Sequence, residues 1–309
     1  MNPVWLFPGQ GAQEVGMGLD LAEKHPLARE LFARADQVLG FPLSRICFSG
    51  PKEELQRTAV TQPALLTCSV AAARILAEFH PAPAAVAGHS LGEYSALVAA
   101  GSLAFDEAVH LVHMRGRFMQ EAVPEGEGTM TAVLGLDAAV VSRVCRNVAG
   151  ERVVQAANLN APGQVVISGH ADAVQRAVPA LKEAGARRAV PLGVSAPFHC
   201  ALMEPAARRL EKALGEVHLS DARMPVWTNV DARPVTSASE IRAALVRQVA
   251  SPVRWEESMR GMAEAGHSEF LEVGPGTVLA GLVRRNLKGA RTREAGTAAA
   301  LAALKPPTP

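Results

Sequence analysis

The segment AAVAGHSLGEYSALVAAG, residues 84–101, carries the strongest signal for the fold. It begins with a short apolar run that is typical of a buried strand, and the residues after Gly92 predict a helix. Between them, Ser90 lies in a G-x-S-x-G pattern, whose glycines allow a tight, strained turn. A strand, such a turn and a helix form a nucleophile elbow, which exposes the hydroxyl beside free N–H groups at the helix N-terminus. We therefore predict that Ser90 is a nucleophile; the alternative is a serine that only caps the helix.

The regions around this segment alternate short apolar strands with helical patterns. VWLF at 4–7 predicts a strand, and helices are predicted over 19–39, 62–79 and 105–122. After residue 198 the alternation resumes, with a predicted strand over 224–230. Alternation of this kind indicates an α/β protein built around a parallel sheet.

Residues 126–195 follow a different pattern, with the predicted order β-α-β-β-α-β of a ferredoxin-like unit. The second helix of this unit, predicted over 171–185, contains Pro179, which is expected to bend or break it. We predict that residues 126–195 form a small ferredoxin-like α+β domain. It would be inserted into a large α/β-hydrolase-like domain made of residues 1–125 and 196–309.

The composition excludes several classes of protein. The formal net charge of +1 gives no general attraction for nucleic acid, and 49% hydrophobic with 20% charged residues is typical of a globular protein. No stretch reaches the roughly 18 consecutive apolar residues of a membrane span, and the N-terminus does not resemble a signal peptide. The cysteines are scattered without a C-x-x-C pair, which argues against a disulfide framework or a zinc site and favours a reducing, cytoplasmic compartment. They are Cys47, Cys68, Cys145 and Cys200.

Further motifs follow one another along almost the whole chain. In order they are FPGQGAQ (7–13), GHSLGEYSAL (88–97), RGRFMQEAVPEGEGTM (115–130), NLNAPGQVVISG (158–169), SAPFHCALM (195–203), RQVASPVRW (247–255) and LEVGPGTVL (271–279). FPGQGAQ lacks the G-K-[ST] ending of a phosphate-binding loop, which excludes nucleotide hydrolysis of that type. Together the motifs closely resemble the malonyl-CoA:acyl carrier protein transacylases, over residues 4 to about 287.

The resemblance implies a catalytic role for one of the nine histidines. His199, in SAPFHCALM, matches the family's general base, which takes the proton from the nucleophile Ser90. The family orients this histidine through a backbone carbonyl near a glutamine that corresponds to Gln248, so we expect a Ser–His dyad without a catalytic carboxylate. The resemblance also implies an oxyanion hole formed by the backbone N–H groups of Gln10 and Leu91.

The resemblance assigns substrate binding to three further residues. Arg115 is expected to bind the free carboxylate of the malonyl group through two parallel hydrogen bonds. Phe198 resembles the bulky residue of malonyl-selective relatives and would leave little room for a 2-methyl group. Asn160 is expected either to contact substrate or to cap its turn. Arg117, by contrast, is expected to form a surface ion pair with Glu121 at i+4.

The expected reaction is a two-step exchange from malonyl-CoA to the phosphopantetheine thiol of acyl carrier protein, through a malonyl-serine intermediate, as in fatty acid synthesis. It would need no metal or redox cofactor, and the family is usually monomeric. Because the carrier protein is acidic, basic docking residues are expected, with solvated side chains as the alternative. The candidates are Arg187, Arg188, Arg284 and Arg285.

Taken without the resemblance, the residues allow two other functions. A serine hydrolase shares the elbow, but it has no use for Arg115 and normally contains a triad acid. Its acid would lie between Ser90 and the histidine, where Asp106, Asp137 and Asp172 are available. A carrier-binding subunit without activity is the second alternative, although every proposed catalytic residue is present.

Overall fold

A computed structural model describes residues 2–194 and 196–305 of the chain. Its larger sheet has the strand order β10-β9-β1-β2-β7-β8. These strands are β1 (Val4–Phe7), β2 (Val86–Gly88), β7 (Val226–Trp227), β8 (Pro234–Val235), β9 (Glu269–Glu272) and β10 (Arg291–Glu294). All neighbouring pairs are parallel except β7 and β8. The strand β1 is buried along its whole length and pairs with β2 in the register Phe7 opposite Gly88, which brings the FPGQGAQ turn beside the elbow.

Helices surround this sheet. In chain order they are α1 (Leu19–Lys24), α2 (Pro26–Leu39), α3 (Leu43–Ser49), α4 (Lys52–Leu55), α5 (Thr58–Ala77), α6 (Gly92–Ala99), α7 (Phe105–Glu121), a 3-10 helix (Ala201–Met203), α10 (Glu204–Glu216), α11 (Ala238–Ala250), α12 (Trp255–Glu264), α13 (Val278–Asn286) and α14 (Ala298–Leu304). Helix α5 is the one helix of the described residues that is long and apolar enough to cross a membrane. Because 94% of its most apolar window is buried inside the protein, it is better described as the core helix of the fold.

The second sheet is antiparallel, with the order β4-β5-β3-β6. Its elements are β3 (Gly128–Leu134), α8 (Ala138–Ala149), β4 (Val154–Ala161), β5 (Gln164–His170), α9 (Ala171–Glu183) and β6 (Arg188–Pro191). This sheet has its own core, in which Val133, Val141, Ile167 and Leu181 are buried. The combination of a parallel core sheet and a separate antiparallel sheet confirms the predicted fold class. The boundaries of the small domain stay a prediction, and Ser195, at its predicted end, lies outside the described residues.

Several predicted elements differ from the structure. The helix predicted over 19–39 is two helices, because Pro26 forces the preceding His25 into an extended conformation. Pro179 was expected to bend or break its helix; it does not break α9, which continues through it while its buried face, including Ala177 and Leu181, packs into the core. A bend at Pro179 stays a prediction. The strand predicted over 224–230 has only the two residues of β7.

Strand β10 and helix α14 lie beyond the region that the motifs cover, and the sequence analysis did not predict them. The β10 sequence RTRE has no apolar residue, because this strand forms the exposed edge of the sheet. Helix α14 is capped by the Thr297 side chain, and the backbone N–H of Ala298 donates to Asp20 Oδ2 at 2.6 Å. These contacts join the last described segment to the beginning of the chain.

Candidate active site

The elbow joins β2 to α6, and Ser90 lies at its bend. Ser90 has φ 52°, a left-handed conformation that non-glycine residues rarely adopt. The turn is so tight that a Cβ on Gly92 would lie 2.0 Å from the Phe7 carbonyl oxygen. The Asn229 Oδ1 accepts a hydrogen bond of 2.6 Å from the Ser90 N–H and so holds the strained residue in place.

His199 lies beside this hydroxyl. Its Nε2 is 2.7 Å from Ser90 Oγ, and its Nδ1 is 2.9 Å from the carbonyl oxygen of Gln248. Burial lowers the pKa of His199 to about 3, assisted by the charge of Arg115 and opposed by the hydrogen bond to Gln248. The imidazole is therefore neutral. With Nδ1–H donating to the carbonyl, Nε2 is left to accept the serine proton.

A carboxylate does not take part in this pair. Asp106 forms an ion pair with Arg34, and Asp172 forms ion pairs with Arg152 and Arg176, all on the surface. Within residues 2–194 and 196–305, no carboxylate forms a hydrogen bond with the imidazole of His199. Ser90 and His199 therefore form a hydrogen-bonded pair in which a main-chain carbonyl orients the imidazole.

Arg115 projects from α7 into the same site and is only 1% exposed. Its Nη1 donates to Gln62 Oε1 at 2.8 Å, and its Nη2 donates to Gln248 Oε1 at 2.8 Å and to Ser90 Oγ at 3.2 Å. The Tyr94 ring centroid lies 5.4 Å from Cζ. In the described part of the chain the guanidinium has no ion-pair partner, and burial lowers its pKa. A buried cation next to the hydroxyl, held by neutral groups, can bind an anionic group of a substrate.

The predicted oxyanion-hole residues border the same space. Leu91 directly follows Ser90 at the start of α6, and Gln10 lies in the turn after β1. Neither backbone N–H donates to another group of the described residues. Gly9 packs against the elbow so closely that a Cβ there would lie 2.3 Å from the His89 carbonyl oxygen. Gln10 and Leu91, whose N–H groups are free among the described residues, therefore line the same cavity as Ser90.

A cavity of about 90 Å³ joins these groups. It is lined by Gln10, Gln62, His89, Ser90, Leu91, Arg115, Met119, Met130, Asn158, Leu192, Val194, Phe198 and His199. Phe198 is 6% exposed and forms part of the wall. Asn160 is not among these residues: its Oδ1 is 2.9 Å from His89 Nε2, and Asn158 lines the cavity instead. A contact between Asn160 and substrate stays a prediction.

Four polar residues of the site were not predicted from the sequence. They are Gln62, Glu93, Asn158 and Asn229, all buried. Glu93 could have been found, because it is a charged residue in the otherwise apolar helix GEYSALVA. Asn229 and Gln62 carry no such signal, since only the tertiary fold brings them to Ser90 and Arg115.

Metal-ligating side chains do not cluster in the described residues, where no group of three or more His, Cys, Asp or Glu could hold an ion. The four cysteines are free and buried. Burial raises the pKa of the Cys68 thiol to about 12, so it is protonated at neutral pH.

Comparisons with known proteins agree with this geometry. The family model described as the acyl transferase domain matches residues 4–308. The chain is 52% identical to the malonyl CoA-acyl carrier protein transacylase of Escherichia coli strain K12 over 282 residues, which is 91% of each chain. An acyl carrier protein S-malonyltransferase structure from Vibrio cholerae superposes with a TM-score of 0.96 at 47% identity, covering 99% of this chain and 100% of that one. A malonyl-transacylase in complex with a type II PKS acyl-carrier protein gives a TM-score of 0.95 at 47% identity, with 98% of each chain covered.

Proposed function

The chain belongs to the acyl transferase domain family, and on that premise we propose that it is a malonyl-CoA:acyl carrier protein transacylase. It transfers a malonyl group from malonyl-CoA to the phosphopantetheine thiol of acyl carrier protein in fatty acid synthesis. The observation that carries the substrate assignment is the buried guanidinium of Arg115, which lies 3.2 Å from the hydroxyl of Ser90. A hydrolase of neutral esters would gain nothing from a buried cation at this point.

In the first step, His199 Nε2 takes the proton of the Ser90 hydroxyl as Oγ attacks the thioester carbonyl carbon. The backbone N–H groups of Gln10 and Leu91 stabilise the negative charge on the carbonyl oxygen of the tetrahedral intermediate. The C–S bond then breaks, and the proton on His199 passes to the leaving thiolate of CoA. The product is a malonyl ester of Ser90.

In the second step, His199 takes the proton of the phosphopantetheine thiol, and the thiolate attacks the ester carbonyl. The C–O bond to Ser90 breaks, and the proton returns to Oγ. Both steps exchange one acyl group between nucleophiles, so they need no metal and no redox cofactor. The kinetics are ping-pong.

Arg115 supplies selectivity by pairing with the free malonyl carboxylate. Gln62 and Gln248 hold the guanidinium in position without neutralising it, which leaves its charge available to the substrate. The orientation of His199 by a main-chain carbonyl also favours an anionic substrate, because a triad carboxylate would add negative charge beside that substrate. Phe198 narrows the cavity and leaves little room for the 2-methyl group of a methylmalonyl substrate.

The carrier protein is the macromolecular partner, and its acidic surface would meet exposed arginines. Arg187, Arg188, Arg284 and Arg285 are all exposed, and none has an acidic partner among the described residues. Arg285 donates to Gln164 Oε1 at 2.7 Å, which joins α13 to the antiparallel sheet. The enzyme acts as a cytoplasmic monomer, without nucleic acid or membrane.

Intact-mass measurement tests the assignment. Exposure to malonyl-CoA should add one malonyl group to the protein, methylmalonyl-CoA and acetyl-CoA should add far less, and holo acyl carrier protein should remove the adduct. Ser90→Ala should take up nothing. Rapid malonate release without any thiol acceptor would favour a hydrolase, and the absence of an adduct on the wild-type protein would favour a subunit without activity.

A further inference from the structure

The carboxyl group of Glu93 does not line the substrate cavity, but it accepts hydrogen bonds from two residues that contact Ser90. We propose that Glu93 is a positioning residue that fixes the base, the guanidinium and the strained serine through two intermediaries, Gln248 and Asn229. The inference rests on the proposed transacylase function, and it assigns a role to a buried acid that the two-step reaction does not use.

Glu93 lies in the first turn of α6 and is 1% exposed. Its Oε2 accepts two hydrogen bonds of 2.9 Å each, one from Gln248 Nε2 and one from the backbone N–H of Asn229. Both donors come from regions distant in sequence, so this oxygen joins the elbow to the segments around residues 229 and 248. Burial raises the pKa of Glu93 to about 7, against the opposing effects of these hydrogen bonds and of Arg115.

Gln248 carries the first connection. Its carbonyl oxygen orients His199, its Oε1 accepts from Arg115, and its Nε2 donates to Ser90 O at 3.0 Å as well as to Glu93. A primary amide has a donor end and an acceptor end of nearly equal shape. Glu93 Oε2, together with Ser90 O, selects the donor end, which keeps the Oε1 end of Gln248 facing the guanidinium. If the amide of Gln248 were reversed, its Nε2–H groups would face the N–H groups of Arg115.

Asn229 carries the second connection. Its N–H donates to Glu93, its Oδ1 accepts from the Ser90 N–H, and its Nδ2 donates to Gly88 O at 2.7 Å. The side chain thus spans the elbow from the end of β2 to the nucleophile. Loss of the Glu93 acceptor would leave the Asn229 N–H buried and unpaired, and would free the residue that holds Ser90 at its strained φ.

A pair of volume-matched variants tests the proposal. Glu93→Gln and Glu93→Met both remove the charge, but only glutamine retains an oxygen that can accept both hydrogen bonds. We expect Glu93→Met to lower kcat/KM for malonyl transfer by about 30- to 100-fold, as for two buried donors left unpaired, and Glu93→Gln to stay within about tenfold of wild type. Thermal melting of each variant establishes that it is folded.

Two readouts separate positioning from a purely structural role. The ratio of malonyl to acetyl transfer should fall in Glu93→Met, because Gln248, which then keeps only the bond from Nε2 to Ser90 O on that side, holds Arg115 less firmly. The rate at which a fluorophosphonate labels Ser90 should also fall, since that reaction depends on the dyad and not on malonyl binding. If Glu93→Met does not fold, Glu93→Asp replaces it, because the shorter side chain keeps the charge but cannot reach both donors, and its activity should fall more than tenfold.

Equal activities of the methionine and glutamine variants would overturn the proposal, as would a methionine variant with an unchanged malonyl-to-acetyl ratio. These outcomes are distinct from a failure of the proposed function. If the proposed function were wrong, the wild-type protein itself would take up no malonyl group from malonyl-CoA.

Discussion

Replacement of Arg115 by alanine tests the substrate assignment most directly. The guanidinium is 1% exposed and lies 3.2 Å from Ser90 Oγ, so a malonyl group on that oxygen would bring its carboxylate to the same buried cation. Truncating one partner of a buried, hydrogen-bonded charge pair costs about 2–5 kcal/mol. At about 1.4 kcal/mol per factor of ten, the rate of malonyl-enzyme formation should fall by about 30-fold to a few thousand-fold.

Acetyl transfer should respond much less to the same substitution. An acetyl group has no carboxylate for Arg115 to bind, and its entry leaves the buried cation without an anionic partner. Removing the cation costs this substrate the contacts of Arg115 with Ser90 Oγ, the two glutamines and Tyr94, but no contact with the acyl group itself. We expect a change within about tenfold, so the malonyl-to-acetyl ratio should collapse.

Arg117→Ala is the matched control. It removes the same group two residues along α7, where the side chain is 55% exposed and forms an ion pair with Glu121 at 3.6 Å. An exposed ion pair of this kind contributes little free energy, so malonyl and acetyl transfer should both be unchanged. Quenched-flow measurement of the acyl-enzyme with each thioester gives both rates. An equal loss for malonyl and acetyl in Arg115→Ala would refute the assignment of the guanidinium to the carboxylate.

Three further predictions concern the base, the turn beside the elbow and the fold. Because the pKa of His199 is lowered to about 3, its imidazole stays neutral on acidification, and the rate of acyl-enzyme formation should show no loss from His199 centred near the ordinary histidine value of about 6.5. Because the pKa of Glu93 is raised to about 7, the same profile is measured on Glu93→Gln, and a midpoint near the ordinary histidine value of about 6.5 that persists in this variant would contradict the neutral dyad. Gly9→Ala would place a Cβ 2.3 Å from a carbonyl oxygen of the elbow, and acyl-enzyme formation should slow by at least about tenfold. Gly215→Ala, where no atom lies within 4 Å, should leave the rate unchanged. Glu272→Ala removes the buried acceptor of two N–H groups at the start of α13, and the free energy of unfolding in urea should fall by about 2 kcal/mol. Glu294→Ala, on the exposed edge strand, is its control.

The sequence predicts the elbow well because that element is local. Strand, turn and helix lie within a few residues of Ser90, and the glycine spacing reports their close packing. The parallel sheet is predictable for a similar reason, since β1 and β2 are apolar runs. Strand β10 was missed because an exposed edge strand needs no apolar residue.

The remainder of the site depends on long-range contacts. Gln248 Nε2 reaches Ser90 O across 158 positions of sequence, and the Glu93 carboxyl meets the Asn229 N–H across 136. No local period or spacing encodes such contacts, so His199 and Gln248 could be selected only through the family resemblance. Asn229 had no motif of its own, and its role emerges only from its two hydrogen bonds at the elbow.

The imidazole of His199 is oriented by a peptide oxygen, and that choice has a consequence for how the enzyme can change over evolutionary time. A triad acid is lost by one codon change, whereas a peptide oxygen is present whatever residue is encoded. The side chain at position 248 makes no hydrogen bond to the imidazole and contacts Arg115 instead, while its bond to Glu93 holds the segment that carries the peptide oxygen. Changes of acyl preference at this position are therefore expected to keep the proton-transfer pair aligned only where the new side chain keeps the bond to Glu93.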